Sequence, residues 1–177
     1  MTRGDARELA VHLIYSQTFT GDEPEQVVAT RLEKEYYKQL AEENEVYADR
    51  PSRAQLAYID GVVSGVSNRL EELNAQISKF SIGWDVARSS RLARTIMQLA
   101  IDEILYVQDV PTGVAVSEAV RLAKKYNDEM GRFVNGILGS FVRAWKADPN
   151  FLENLAAEEA AKIASAEERV EAPAEEI

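Results

Sequence analysis

Cysteine is missing from all 177 residues, which excludes disulfides and every thiolate metal site. A reducing cytosol fits that absence. Histidine occurs once, at His12, and no metal-ligand spacing is found. No stretch approaches the roughly 18 apolar residues of a membrane span. The opening MTRGDARELAVHLIYS has neither a long apolar core nor a small-residue cleavage site, so it is not expected to be a signal peptide. No strand alternation, hairpin signal or internal repeat occurs. There is no phosphate-binding glycine loop either: GVVSG at 61–65 sits inside a helical stripe and lacks the strand–loop–helix context. Positive charge is short, with 20 Lys and Arg against 30 Asp and Glu, a net of −10. Nucleic-acid affinity rests largely on neutralising phosphates, so this balance argues against a tight, unaided nucleic-acid binder.

The acidity is unevenly placed. Residues 151–177 hold eight acidic and two basic side chains, which leaves 1–150 a net of only −4. Apolar content of 46% is ordinary for a globular domain, and the length suits one domain or two small ones sharing a core.

What is present is helical periodicity. Thr2 to about Thr20 reads as a first helix, opened by a Thr2–Asp5 capping box and buried through Ala6, Leu9, Ala10, Leu13 and Ile14. Gly21-Asp22 ends it. Asp22 is then the expected N-cap of a second helix with Pro24 in its first turn, followed by Val27, Val28, Leu32, Tyr36 and Leu40. AEENEVYADRPS reads as a loop or frayed helix end. Ser52 and Gln55 form a second capping box. Beyond it Leu56, Ile59, Val63, Val66, Leu70, Leu73 and Ile77 alternate spacings of three and four, the stripe of one bundled helix. FSIGWD breaks the pattern, with Gly83 as a turn and Trp84 plugging the end of the core. A helix from about Val86 to Val107 follows, with Leu92, Ile96, Leu99, Ala100 and Ile104 inward. Asp109-Val110-Pro111 closes it.

The run from Pro111 to Trp145 reads as two helices and a polar joint. Val116, Ala119, Val120 and Ala123 line the first. Glu118 near its start and Lys124 and Lys125 near its end suit the helix dipole. The joint spans Asn127 to Arg132. Phe133, Val134, Ile137, Leu138, Phe141 and Trp145 line the second. Gly136 and Gly139 each cost a helix interior about 1 kcal/mol relative to alanine, which suggests close packing against the backbone there. After Asp148-Pro149, Phe151, Leu152 and Leu155 are expected to cap the bundle in one short helix. The Ala- and Glu-rich remainder buries little and is expected as a solvated, partly disordered tail. The expectation is an all-α fold of six to seven helices.

Few residues carry chemistry. His12 has no Cys or Ser clearly partnered to it and reads as a structural or surface histidine rather than a catalytic one. The carboxylates form no motif for acid–base work. Arg3 and Arg7, four apart on one face, are either a solvated surface or a phosphate grip. Lys124, Lys125, Tyr126 and Arg132 cluster with Asn127 and Asn135 around the joint. Such a basic and aromatic mix suits single-stranded RNA, and helix-end charges with a core tyrosine explain it equally.

Four blocks in order resemble the NusB family of bacterial transcription antitermination factors: ARELAVHLIYS, RLARTIMQLAIDEIL, VPTGVAVSEAVRLAKKY and FVNGIL. The resemblance covers roughly residues 3–145. It implies two small helical subdomains, about 1–79 and 80–150, with 151–177 as the acidic tail. It implies an RNA-binding adaptor rather than an enzyme, with no cofactor, acting in the cytoplasm. Its partners would be NusE, a basic ribosomal small-subunit protein, boxA-type single-stranded RNA and the RNA polymerase antitermination complex. By position, Arg3 and Arg7 fall in the family's N-terminal basic segment, and Tyr15 matches the Tyr of the same helix. Tyr126, Glu129 and Arg132 fall in or beside the joint on the RNA surface, and Lys125 of the basic cluster is counted with them as an expected RNA contact. The NusE face is expected on the polar side of Arg91 to Glu103. Family members with a dense N-terminal arginine run depart from this chain, which has two arginines with Asp5 between them. The alternatives are an accessory module related to the N-terminal domain of ribosomal RNA cytosine methyltransferases, and a helical interaction module that forms a homodimer.

Overall fold

The computed structural model describes residues 1–82 and 90–171, with side chains through 165. Among these residues the chain is all helical: α1 (Arg3–Thr20), α2 (Pro24–Arg31), α3 (Lys34–Glu43), α4 (Arg53–Asn68), α5 (Leu70–Phe80), α6 (Arg91–Tyr106), α7 (Thr112–Tyr126), α8 (Asp128–Ala147) and α9 (Phe151–Glu171), with one 3-10 turn over Glu45–Tyr47. The expected turn at Gly83, the Trp84 plug and the helix start at Val86 lie outside the described residues.

Nine helices among the described residues replace the six to seven expected, because local breaks leave the hydrophobic period intact. The Leu56–Ile77 stripe is two helices, α4 and α5, parted at Arg69. Leu70 is consequently exposed, although its spacing places it in the stripe. Residues 22–43 also divide, at Leu32-Glu33, where the Glu33 carboxylate accepts from the Tyr36 N–H and opens α3. The cap of α2 is Glu23 rather than Asp22, and it makes no side-chain cap bond; Pro24 at the start suffices. The six-residue joint shrinks to Asn127, whose side-chain oxygen accepts from the Met130 N–H at 2.7 Å and starts α8 at once. The stretch expected as a tail is helical through Glu171. Its Ala and Glu content favours helix even where little is buried.

Both capping boxes form as read, Thr2 with Asp5 and Ser52 with Gln55. Gly21 closes α1 at φ 69°, a left-handed conformation that favours glycine.

The chain makes two compact units, Met1–Phe141 and Val142–Ile177. In the first, α6 is the axis. It packs against α1, α4, α5 and α7, and eleven of its residues are buried. Ile96, Met97, Leu99 and Ile101 are 1% exposed or less, so no solvent face remains along its middle. Phe141 of α8 is fully buried, edge-on to Phe80 at 5.8 Å. Gly136 does not serve close packing: a Cβ there would meet nothing within 4 Å. Gly65 does, because a Cβ there would come within 2.8 Å of the Asp102 carboxylate. In the second unit Phe151 and Leu155 are buried and Leu152 is exposed.

Two adjacent acids on α6 are buried, each answered by an arginine. Glu103 receives the Arg7 guanidinium through Nε at 3.0 Å and Nη2 at 2.8 Å, and the Tyr58 hydroxyl at 2.8 Å. Asp102 receives Arg69 through Nε at 2.9 Å and Nη2 at 2.7 Å. Arg69 stands at the α4–α5 break, so the break is held by a side-chain bond to α6. Burial outweighs the Arg69 bond at Asp102 and pushes its carboxyl up to about 6. Beside this pair a cleft of about 290 Å³ is lined by residues that include Tyr58, Gly61, Arg69, Asp102 and Tyr106.

Candidate nucleic-acid interface

The candidate site is the seam between α1 and α7. Glu8, one turn after Gly4 on α1, is 7% exposed. Its carboxylate accepts from Lys125 Nζ at 2.6 Å and lies 3.9 Å from Arg121 Nη1. Arg121 also holds Glu118 at 3.0 Å, and Arg7 reaches the same Glu118 from beneath at 3.4 Å. The seam is thus a ladder of alternating charge, with the arginine at its base buried.

Aromatic rings continue the surface. Tyr126 ends α7 and is 52% exposed. Its phenol pKa is raised, first by burial and then by the field of Glu8, with Tyr15 contributing. Tyr126 follows Lys125, which Glu8 holds, and Tyr15 stands two turns after Glu8 on α1. Tyr15 sits edge-on to Phe19 at 5.1 Å. Phe19 is exposed, and the Arg91 guanidinium lies 4.4 Å over its ring. Such cation–ring stacking presents a flat, charged platform.

The seven sequence-derived residues fare differently. Lys125 reaches α1 through Glu8, with Tyr126 next to it at the end of α7 and Tyr15 two turns after Glu8 on α1. Arg3 is exposed at the start of α1, 6.0 Å from the Tyr58 ring. Glu129 and Arg132 are exposed in the first turns of α8. Arg7 does not belong to the surface. It is 2% exposed, and its donors are committed to Glu103 and Glu118. Removing it would leave a buried carboxylate without its cation, so it is scaffold. The expected partner face on α6 also narrows. Thr95, Gln98, Asp102 and Glu103 are buried, which leaves Arg91 exposed and Arg94 half-buried.

Sequence reading missed Glu8, Arg121 and Phe19, and it expected Arg91 only on the NusE face. A faint signal existed for two of them. Arg121 lies four before Lys125 and Phe19 four after Tyr15, so each shares a helix face with a chosen residue. His12, expected as a structural or surface residue, pairs with a tyrosine. Its Nδ1 lies 2.9 Å from the Tyr47 hydroxyl, which accepts from Arg31 at 2.6 Å. Burial lowers its pKa. Among the described residues no group of three His, Cys, Asp or Glu could hold a metal, and no helix is long and apolar enough to cross a membrane.

An all-α core with a ladder of cations, carboxylates and exposed rings defines a binding module. Residues 4–143 match the family model described as the NusB family. The chain is 36% identical over 147 residues to the transcription antitermination protein NusB of Symbiobacterium thermophilum, covering 82% of this chain and 92% of that one. It is 38% identical over 144 residues to the NusB of Acetivibrio thermocellus, covering 81% and 90%. Among solved structures, T. maritima NusB shares the fold at TM-score 0.65 and 23% identity, covering 81% of this chain and 92% of that one. NusB solved with NusE and double-stranded RNA does so at 0.62 and 23%, covering 80% and 96%. The chain belongs to the NusB family.

Proposed function

We propose that this protein is a transcription antitermination factor that binds the boxA-type sequence of nascent ribosomal RNA together with NusE and promotes read-through by RNA polymerase. It acts by binding, not catalysis, and in the cytoplasm. Family membership supports the role. The observation that carries the RNA assignment is the grouping of Lys125, Tyr126 and Tyr15 on the α1–α7 seam, where a cation can meet phosphate and rings can stack on unpaired bases. Arg3, Glu129 and Arg132 extend that surface, with Arg7 beneath it as scaffold. Two helical subdomains, about 1–79 and 80–150, complete the reading. NusE is itself basic, so it supplies positive charge that a chain of net −10 lacks.

Fluorescence anisotropy of a boxA-type single-stranded RNA, titrated with this protein with and without NusE, tests the reading. Binding that depends on RNA sequence and tightens when NusE is added is expected. No binding in either condition, by a protein whose circular dichroism shows it helical, overturns it.

A further inference from the structure

Lys125 and Arg121, one turn apart on α7, are each about 40% exposed at the side chain, yet neither is free. Lys125 donates to one Glu8 oxygen at 2.6 Å, and Arg121, which donates to Glu118 through Nε and Nη2, brings Nη1 to 3.9 Å from the same Glu8 oxygen. The two cations are spaced as a pair that straddles a single anionic oxygen, and the oxygen they straddle belongs to the protein. Glu118 differs, because Arg7 holds it from below whatever happens at the surface.

We propose that Arg121 and Lys125 form a seat for a backbone phosphate of the bound RNA, and that Glu8 occupies this seat in the free protein. The inference deepens the RNA-binding reading above and rests on it for the identity of the ligand. A phosphodiester oxygen has the charge and acceptor geometry of the Glu8 oxygen. To enter, it displaces Glu8 and then lies near a carboxylate of its own sign. Glu8 therefore weakens binding at this position and selects for ligands held elsewhere as well, by NusE contacts or by base stacking. Arg121 joins the RNA surface as a residue that neither motif nor composition singled out.

Glu8→Gln tests the seat. It keeps the shape and removes the charge, and thermal melting establishes that the variant is folded. Glu8→Asp, which withdraws the carboxylate by one methylene, serves as a gentler second variant. The expected result is that Glu8→Gln binds boxA-type RNA with NusE about fivefold more tightly. The slope of log K against log salt steepens by about one, since the vacated seat takes one phosphate. Adding Arg121→Gln to Glu8→Gln cancels the gain. Glu71→Gln on α5 makes the same change in net charge and leaves affinity where it was. Affinity that is unchanged or falls in both Glu8 variants overturns the proposal and makes Glu8 a support for the cations. So does an equal rise in Glu71→Gln, which would reduce the effect to bulk charge. Retention on a heparin column reads the seat without RNA or partner. If the natural chain binds no RNA, the functional reading fails. Later elution of Glu8→Gln than of Glu71→Gln then still supports the phosphate seat, and coincident elution ends it.

Discussion

Arg7 and Tyr126 carry the sharpest contrast at the scale of single residues. Both were read from sequence as RNA contacts. The structure buries Arg7 between Glu103 and Glu118 and leaves Tyr126 half in solvent. Breaking a buried pair by removing one partner costs about 3–5 kcal/mol, so Arg7→Ala is expected to lower stability by that order in urea unfolding. Tyr126→Ala has no such burial to lose. Its unfolding curve should stay within about 0.5 kcal/mol of the natural chain, while RNA affinity falls by about 1–3 kcal/mol, the usual loss of one stacked base. The reverse pattern, a stable Arg7→Ala that loses RNA and a neutral Tyr126→Ala, would return Arg7 to the interface.

Asp102 gives a pH test at the same scale. Its folded pKa of about 6 exceeds the ordinary 3.8, so the native state holds a proton there that the unfolded state has released. The stability this contributes is full below about pH 4 and is lost as pH rises through about 6. His12 has the opposite sign: its pKa is lowered by burial, so its contribution is present above the ordinary histidine value and is lost as pH falls through the folded one. Asp102→Asn removes only the first effect. Urea unfolding at pH 4.5 and 6.5 should show the natural chain losing about 2 kcal/mol more over that interval than the variant. Equal losses would mean that Arg69 holds Asp102 ionised throughout.

The helices show what a sequence can and cannot disclose. Periodicity located the buried faces of α1, α4, α5 and α8, and both capping boxes were legible because they are local. The break at Arg69 was not. Spacing is blind to it, since Val66, Leu70 and Leu73 keep their interval across a helix end, and the bond that fixes the break goes to Asp102, 33 residues away. Arg7 was misread for the same reason, because its partner Glu103 is 96 residues distant. Tyr15, Lys125 and Tyr126 were legible as residue types suited to RNA. That Glu8 lies between the cations was not, since 117 residues separate it from Lys125.

Two glycines of α4 test the packing of that element. A Cβ at Gly65 would stand 2.6 Å from Arg69 Nη2 and 2.8 Å from Asp102 Oδ2, whereas one at Gly61 meets nothing within 4 Å. Gly61→Ala is expected to stabilise by about 0.5–1 kcal/mol through helix propensity. Gly65→Ala should destabilise by about 1–3 kcal/mol through overpacking. Thermal melting of the pair checks both signs together.

For the whole molecule, charge is the governing quantity. Residues 158–177 carry seven acidic and two basic side chains, and their field opposes any polyanion at low ionic strength. A chain ending at Ala157 retains the buried Phe151 and Leu155. It should bind boxA-type RNA a few-fold more tightly at about 50 mM salt and equally at about 500 mM, where the Debye length is about 4 Å. An advantage that persists at high salt would point to direct contact by the removed segment.

RNA is assigned to one face of the molecule, and mapping that face is the most direct test. Isotope-labelled protein, saturated with NusE and then titrated with boxA-type RNA, reports by NMR which amides and side chains sense the ligand. The shifts are predicted to concentrate at Tyr15, Arg121, Lys125 and Tyr126, with Glu8 moving as its cations are taken. Shifts confined to the Tyr58, Arg69 and Tyr106 cleft, with the α1–α7 seam silent, would contradict it.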